Sequence, residues 1–212
     1  MKPSQDYFPA LEANRRHHAR GKTFSGKLFR PHARFVKEII DRLDCRSVLD
    51  YGAGKGRQYE WVNRDPTGSI PVGMTIEQWW GVPVAKYDPA YPPFAAEPAG
   101  TFDLVVCTHT LGRIPIADLD WVIDRLFDFA GKAIYVAEKI GDAGEAKKMI
   151  GNTDALPFGW TVERWQGALT RNTHVEITLT TRIIDDRGGK ITSLMRLKGG
   201  EWSPVEWFSP AS

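Results

Sequence analysis

The stretch SVLDYGAGKG, from Ser47 to Gly56, places a short apolar strand directly before three glycines that alternate with other residues. Glycine allows a tight turn and the close approach of a ligand, so this order predicts a binding loop between a strand and a helix. The dinucleotide fingerprint needs its third glycine at position 57, where the chain has Arg57, and the phosphate-loop pattern is absent. Asp50 at the strand end would repel a pyrophosphate, so a ligand with an ammonium group fits the loop better.

Hydrophobic periodicity on both sides of this loop predicts an α/β sheet that is mostly parallel. An alternating run, a DDRGG turn and a second apolar run close the chain as a hairpin, which makes the end of the sheet antiparallel. Strands are predicted over 46–51, 82–87, 102–107, 132–137, 175–183 and 191–197. Helices are predicted over 35–43, from Arg57 onward, and over 75–80, 119–127, 142–150 and 162–169.

Length and composition indicate an ordinary globular chain of 212 residues. It has no apolar run long enough for a membrane helix, and its first residues lack a signal peptide's apolar segment. Two cysteines, Cys45 and Cys107, make no disulfide framework, so we expect a cytoplasmic protein. We divide the chain into a basic N-terminal arm, 1–31, expected to be irregular with a short helix, and one domain, 32–212.

The arm is basic because the segment from Ala13 to Lys37 contains no acidic residue. Two interpretations follow for the basic residues between 15 and 37. They form a solvated arm, or they attract an anionic partner such as nucleic acid.

Beyond its glycines, the opening stretch resembles motif I of the class I S-adenosylmethionine-dependent methyltransferases. The likeness continues through KYDP (Lys86–Pro89), FDLVVC (Phe102–Cys107), THTLGRIP (Thr108–Pro115) and the hairpin, and it spans roughly residues 33–197. IPIADLDW (Ile114–Trp121) is similar to a helix start in small bacterial and phage methyltransferase domains. The resemblance implies a Rossmann-like sheet, S-adenosyl-L-methionine as cofactor, and methyl transfer to a small molecule first or a nucleic acid second.

The resemblance also implies roles for individual residues. The three glycines would lie under the methionine part of the cofactor, and Asp50 would hold its amino group directly or through water. Asp88, at the end of the second strand, would accept hydrogen bonds from the two ribose hydroxyls. The alternative for both aspartates is turn stabilisation. The predicted cofactor-binding residues are Asp50, Tyr51, Gly52, Gly54, Gly56, Asp88 and Thr108.

One departure from the family pattern concerns the third strand. Only 13 residues separate Asp88 from Phe102, too few for the usual helix, strand and helix. Either the third, edge strand is deleted, or 82–88 is itself that strand and Asp88 contacts the adenine. We favour deletion, because YDP resembles the ending of the second strand.

The catalytic candidate is His109, which follows the fourth family strand where α/β sheets open into their crevice. A neutral imidazole there can take a proton from the acceptor, and the alternative is a histidine bonded to backbone at the crevice edge. LGRI, Leu111–Ile114, departs from the LEHI frequent in relatives and removes another base. Signatures of amino-methylating and cytosine-C5 DNA enzymes are absent, and neither histidines nor cysteines have metal-site spacing.

Two alternative functions from other classes of protein remain open. A module that binds the cofactor without catalysis would explain the altered segment after the fourth family strand. A nicotinamide-dependent oxidoreductase would use a glycine loop too, although Arg57 and the hairpin argue against it.

Overall fold

A computed structural model describes residues 2–21, 23–140, 160–171, 175–183 and 190–205. Within these ranges the strands are β1 (Val48–Tyr51), β2 (Val84–Tyr87), β3 (Phe102–Thr108), β4 (Ala130–Lys139), β5 (Glu176–Ile183), β6 (Lys190–Lys198) and β7 (Glu201–Pro204). They form one sheet in the order β2-β1-β3-β4-β5-β6-β7. The first five strands pair in parallel, and β6 is antiparallel to both of its neighbours. The predicted mostly parallel α/β sheet with an antiparallel C-terminal hairpin is confirmed.

Helices cover both faces of this sheet because its central strands are apolar on both sides. Val48 and Leu104 face one core, whereas Leu49 and Val105, their neighbours in sequence, face the other. The helices are α1 (Tyr7–Ala19), α2 (Ala33–Leu43), α3 (Arg57–Glu60), α4 (Ile76–Trp80), α5 (Ile116–Phe129) and α6 (Val162–Leu169). Helices α5 and α6 complete one core, and α2 and α4 complete the other.

The edge strand β2 decides between the two interpretations of the missing strand. It pairs directly with β1, in the register Val48 with Val84 and Tyr51 with Tyr87, so it is the second strand of the family sheet. The part of the chain that the structure describes has no strand outside β2. The third family strand is therefore absent from the described sheet, and Asp88 directly follows the second strand.

Some features differ from the sequence prediction or lie beyond the described ranges. Strand β7 was not predicted; it forms by pairing with β6, in the register Leu197 with Trp202. The arm, expected to be irregular with a short helix, contains the 13-residue helix α1. The helix predicted over 142–150 and the turn at 185–189 lie outside the described residues. None of the described helices has the length and apolar character needed to cross a bilayer.

Candidate active site

A cavity of 320 Å³ opens at the carboxyl ends of β1, β2 and β3. Its floor comes from the strand ends, with Tyr51, Asp88 and Thr108, and from the loop Gly52–Gly54. One wall is the segment after β3, from His109 to Pro115, and the roof comes from the N-terminal arm. The cavity therefore lies at the position where ligands bind in parallel α/β sheets.

The glycine loop takes its shape from left-handed backbone and close packing. Gly52 has φ +82°, and its N–H donates to the Tyr87 carbonyl at 2.7 Å. A Cβ on Gly52 would lie 2.5 Å from Thr110 Cγ2, closer than real Cβ contacts allow. Gly52 is thus required both for its conformation and for the approach of Thr110, which braces the loop against the segment after β3.

We expect Gly52→Ala to be more destabilising than Gly73→Ala. Gly73 has a similar φ of +86°, but a Cβ there meets nothing within 4 Å in the described structure. Left-handed strain should cost about 1 kcal/mol in both variants, and overpacking against Thr110 should add roughly 1–3 kcal/mol in Gly52→Ala. Urea unfolding of the two variants measures the difference, and equal losses would contradict the packing argument.

Asp50 lies behind the glycine loop rather than in the cavity wall. It is almost fully buried, and its Oδ2 accepts hydrogen bonds at 2.9 Å from Gln58 Nε2 and from the Tyr59 hydroxyl. Burial raises the pKa of Asp50 to about 6, with these two hydrogen bonds acting in the opposite direction. Gln58 does line the cavity, so it connects Asp50 to the ligand space. A direct contact of Asp50 with the ligand stays a prediction.

Asp88 joins the glycine loop to the end of β2. Its Oδ2 accepts a 2.9 Å hydrogen bond from the Gly54 N–H, and its Oδ1 accepts one of 2.9 Å from the Ala90 N–H. The carboxylate is largely buried yet faces the cavity. Two of the elements predicted to hold the cofactor, 34 residues apart in sequence, are thus brought into direct contact. Gly56, in contrast, is outside the cavity lining and begins α3 in a left-handed conformation.

The N-terminal arm reaches the same carboxylate from the roof. His18 Nε2 lies 3.5 Å from Asp88 Oδ2, and the buried His18 ring stacks between Phe24 and Tyr91, with centroid distances of 4.2 and 5.2 Å. The Nδ1 atom of His18 is buried and has no hydrogen-bond partner within the described ranges. Nothing in the sequence pattern around His18 indicated this contact.

Both ends of the arm are fastened to the domain. At its start, Ser4 Oγ donates to Asp118 Oδ2 at 2.8 Å, and the Tyr7 ring meets Trp121 edge-to-face at 5.1 Å. At its other end, Lys55 Nζ donates to the Arg20 carbonyl at 3.3 Å. Helix α1 and the segment 23–29 therefore form a strap across the cavity.

His109 stands where the sequence predicted it, at the crevice after β3. It has φ +54°, rare for a residue with a side chain, and its N–H donates to the Ala137 carbonyl at 2.7 Å. Its ring is 5.4 Å from that of His32, whose Nδ1 lies 2.7 Å from the Tyr135 hydroxyl. The cavity wall at His109 thus adjoins a buried polar cluster, and its function as a base stays a prediction.

Glu138, which the sequence analysis missed, fixes the segment that carries His109. One carboxylate oxygen accepts hydrogen bonds from the N–H groups of Thr110 (3.0 Å) and Leu111 (2.8 Å). Burial raises the pKa of Glu138 to about 7, opposed by these backbone hydrogen bonds and by Arg113. In the sequence, the signal for this buried carboxylate was a glutamate at the end of the apolar run AIYVAE.

Across the described ranges, no group of three or more His, Cys, Asp and Glu side chains could hold a metal ion.

Comparison with known proteins adds one match. A family model described as a methyltransferase domain matches residues 15–179, most of the chain, from within α1 to within β5. No curated protein and no solved structure matches the sequence. The matched region contains the glycine loop, Asp88 and the segment after β3. With its Rossmann-like sheet and this match, the chain belongs to the methyltransferase domain family, in its class I form.

Proposed function

We propose that this protein transfers a methyl group from S-adenosyl-L-methionine to a small-molecule acceptor. The observation that carries the proposal is the hydrogen bond between Asp88 and the Gly54 N–H at the floor of the cavity. It places a carboxylate that can bind ribose hydroxyls beside a glycine loop that can approach the methionine part of the cofactor. A volume of 320 Å³ lies within the usual range of ligand pockets.

The residues present fit the cofactor chemically. Each Asp88 oxygen already accepts one backbone hydrogen bond, and a carboxylate has about four acceptor sites, so one site on Oδ1 and one on Oδ2, the latter 3.5 Å from His18 Nε2, remain for a pair of hydroxyls. Gly52 and Gly54 offer backbone without side chains in the cavity floor, and Tyr51 and Thr108 flank them. We assign these residues to cofactor binding. Asp50 lies behind the loop and contributes indirectly, by accepting a hydrogen bond from Gln58, which lines the cavity.

When bound, the cofactor supplies a methyl group already activated on a sulfonium sulfur. The protein's task is then to hold two molecules in line and to exclude water. Alignment of this kind can lower a barrier by roughly 7–11 kcal/mol without a catalytic side chain. The arm excludes water by covering the cavity, and we propose that His109 accepts a proton where the acceptor carries one.

We propose a small acceptor rather than nucleic acid, because the arm is turned toward the cavity and fastened to α5. Arg15 and Arg16 on α1 remain exposed and lie near Glu12. A steep loss of binding with added salt would favour a nucleic-acid acceptor instead. Cytoplasmic location belongs to the same proposal, supported by two buried, free thiols at Cys45 and Cys107.

Thermal melting with candidate ligands tests the proposed cofactor. We expect S-adenosylhomocysteine, the demethylated product, to raise the melting temperature in a concentration-dependent way and NAD to have no effect. Stabilisation by NAD and not by S-adenosylhomocysteine would favour the alternative function of a nicotinamide-dependent oxidoreductase. Binding of S-adenosylhomocysteine without methyl transfer to any acceptor in cell extract would favour the non-catalytic module.

A further inference from the structure

Arg113 places a cation in the cavity wall without a carboxylate partner. It ends the short turn Leu111–Arg113 after β3, is partly buried, and has its guanidinium carbon 5.2 Å from the centroid of the Phe24 ring. Its side chain makes no hydrogen bond and no ion pair with the described residues. Among the other half-buried arginines in the described ranges, Arg125, Arg171 and Arg196 contact carboxylates, whereas Arg30 lies over the Trp61 ring at 4.0 Å.

The two carboxylates whose charges act on Arg113 are hydrogen-bonded to other groups. Glu138 accepts from the backbone of Thr110 and Leu111, and Asp88 accepts from Gly54 and Ala90. Burial lowers the pKa of Arg113, and the charges of Glu138 and Asp88 oppose this shift. A desolvated guanidinium without a partner is unfavourable, so this charge is available to an anionic ligand.

The net charge of the methyl donor indicates that the acceptor, rather than the donor, supplies the anion that Arg113 binds. The donor carries a sulfonium, an ammonium and a carboxylate, so it brings net positive charge into the cavity. Asp88 is the one carboxylate among the described lining residues, facing the cationic Arg113 and the more exposed Lys27. With the donor bound, the charges that line the cavity sum to a positive value, and an anionic acceptor would balance them.

We propose that the methyl acceptor is a small molecule with a carboxylate or phosphate group and that Arg113 binds this group. The planar guanidinium suits either anion, because both accept two parallel hydrogen bonds. This inference rests on the proposed function. It assigns Arg113 as the residue that selects the charge of the acceptor.

The donor's own carboxylate is the competing source of the anion, and two ligands separate the sources. Calorimetric titration compares S-adenosylhomocysteine with methylthioadenosine, which lacks the amino-acid part, for wild type, Arg113→Gln and the control Arg46→Gln. Arg46 is exposed and pairs only with exposed Asp44 in the described structure. We expect the affinity for both ligands to change by less than about threefold in Arg113→Gln. A loss of more than about tenfold for S-adenosylhomocysteine alone would assign Arg113 to the donor and overturn the proposal.

Small anions test the acceptor site directly. With saturating S-adenosylhomocysteine, we expect inorganic phosphate, acetate or benzoate to raise the melting temperature of wild type and Arg46→Gln, and neutral benzamide to have no effect. Binding should weaken at least about tenfold in Arg113→Gln. The absence of any anion effect, or an equal effect in Arg113→Gln, overturns the inference. Failure of wild type to bind S-adenosylhomocysteine would instead overturn the proposed function.

Discussion

Replacing Asp88 by alanine is expected to lower the affinity for S-adenosylhomocysteine by roughly 100-fold or more. Two hydrogen bonds from ribose hydroxyls to a carboxylate would be lost, each worth about 1.5–3 kcal/mol. The change also leaves the N–H groups of Gly54 and Ala90 without their acceptor. Calorimetric titration measures the affinity, and the melting temperature without ligand reports whether the loop survives.

Two further variants make this result specific. Asp88→Asn keeps one carbonyl acceptor, so its loss of affinity should be intermediate. Asp41→Ala removes an exposed carboxylate on α2 that pairs with Lys37 and is not among the residues that line the cavity, so this variant should bind as wild type does. A folded Asp88→Ala protein with unchanged affinity would contradict the role assigned to the carboxylate.

The free energy of unfolding is expected to fall as the pH rises, because of Glu138. Its pKa is about 7 in the folded protein, above its ordinary value of 4.5. Below pH 4.5 the group is protonated in both states, so its stabilising contribution is complete there. Between that pH and about 7 the unfolded chain loses the proton first, which costs the folded state roughly 3 kcal/mol in total.

Urea unfolding at pH 4.5, 6 and 8 checks this expectation in Glu138→Gln. The amide oxygen still accepts from the backbone after β3 but carries no proton to lose, so the variant should gain roughly 3 kcal/mol relative to wild type between pH 4.5 and 8. Glu60→Gln, at an exposed position on α3, is the control and should parallel wild type. A Glu138→Gln curve parallel to wild type would contradict the buried ionisation. Burial also raises the pKa of Asp50 to about 6. Its ionisation therefore lowers the free energy of unfolding as well, by a smaller amount and at lower pH than that of Glu138.

Local sequence pattern was sufficient for the sheet and for the glycine loop. Apolar runs and a glycine series are properties of neighbouring residues, and each predicted a strand or loop near its observed position. Strand β7 was missed for the same reason: it is short, largely exposed and formed by pairing with β6 rather than by an apolar pattern of its own.

The polar contacts of the site could not be predicted in this way. Glu138 meets Thr110 across 28 positions, and His18 meets Asp88 across the roof of the cavity. Periodicity shows that a residue is buried but not which distant polar group satisfies it. Asp88 was found because its strand ends beside the loop, whereas Gln58 and Arg113 depend on how the loop and the turn after β3 face the cavity.

The strap formed by α1 and 23–29 gives the molecule a modular design. The floor of the cavity is built from strand ends scattered along the sequence, while its roof is one contiguous stretch near the N-terminus. Substitutions in that stretch can reshape the space offered to an acceptor and leave the pleated scaffold and the glycine loop intact. Positions of that stretch away from His18, which lies 3.5 Å from Asp88, can therefore change the space for an acceptor without touching the carboxylate assigned to the donor.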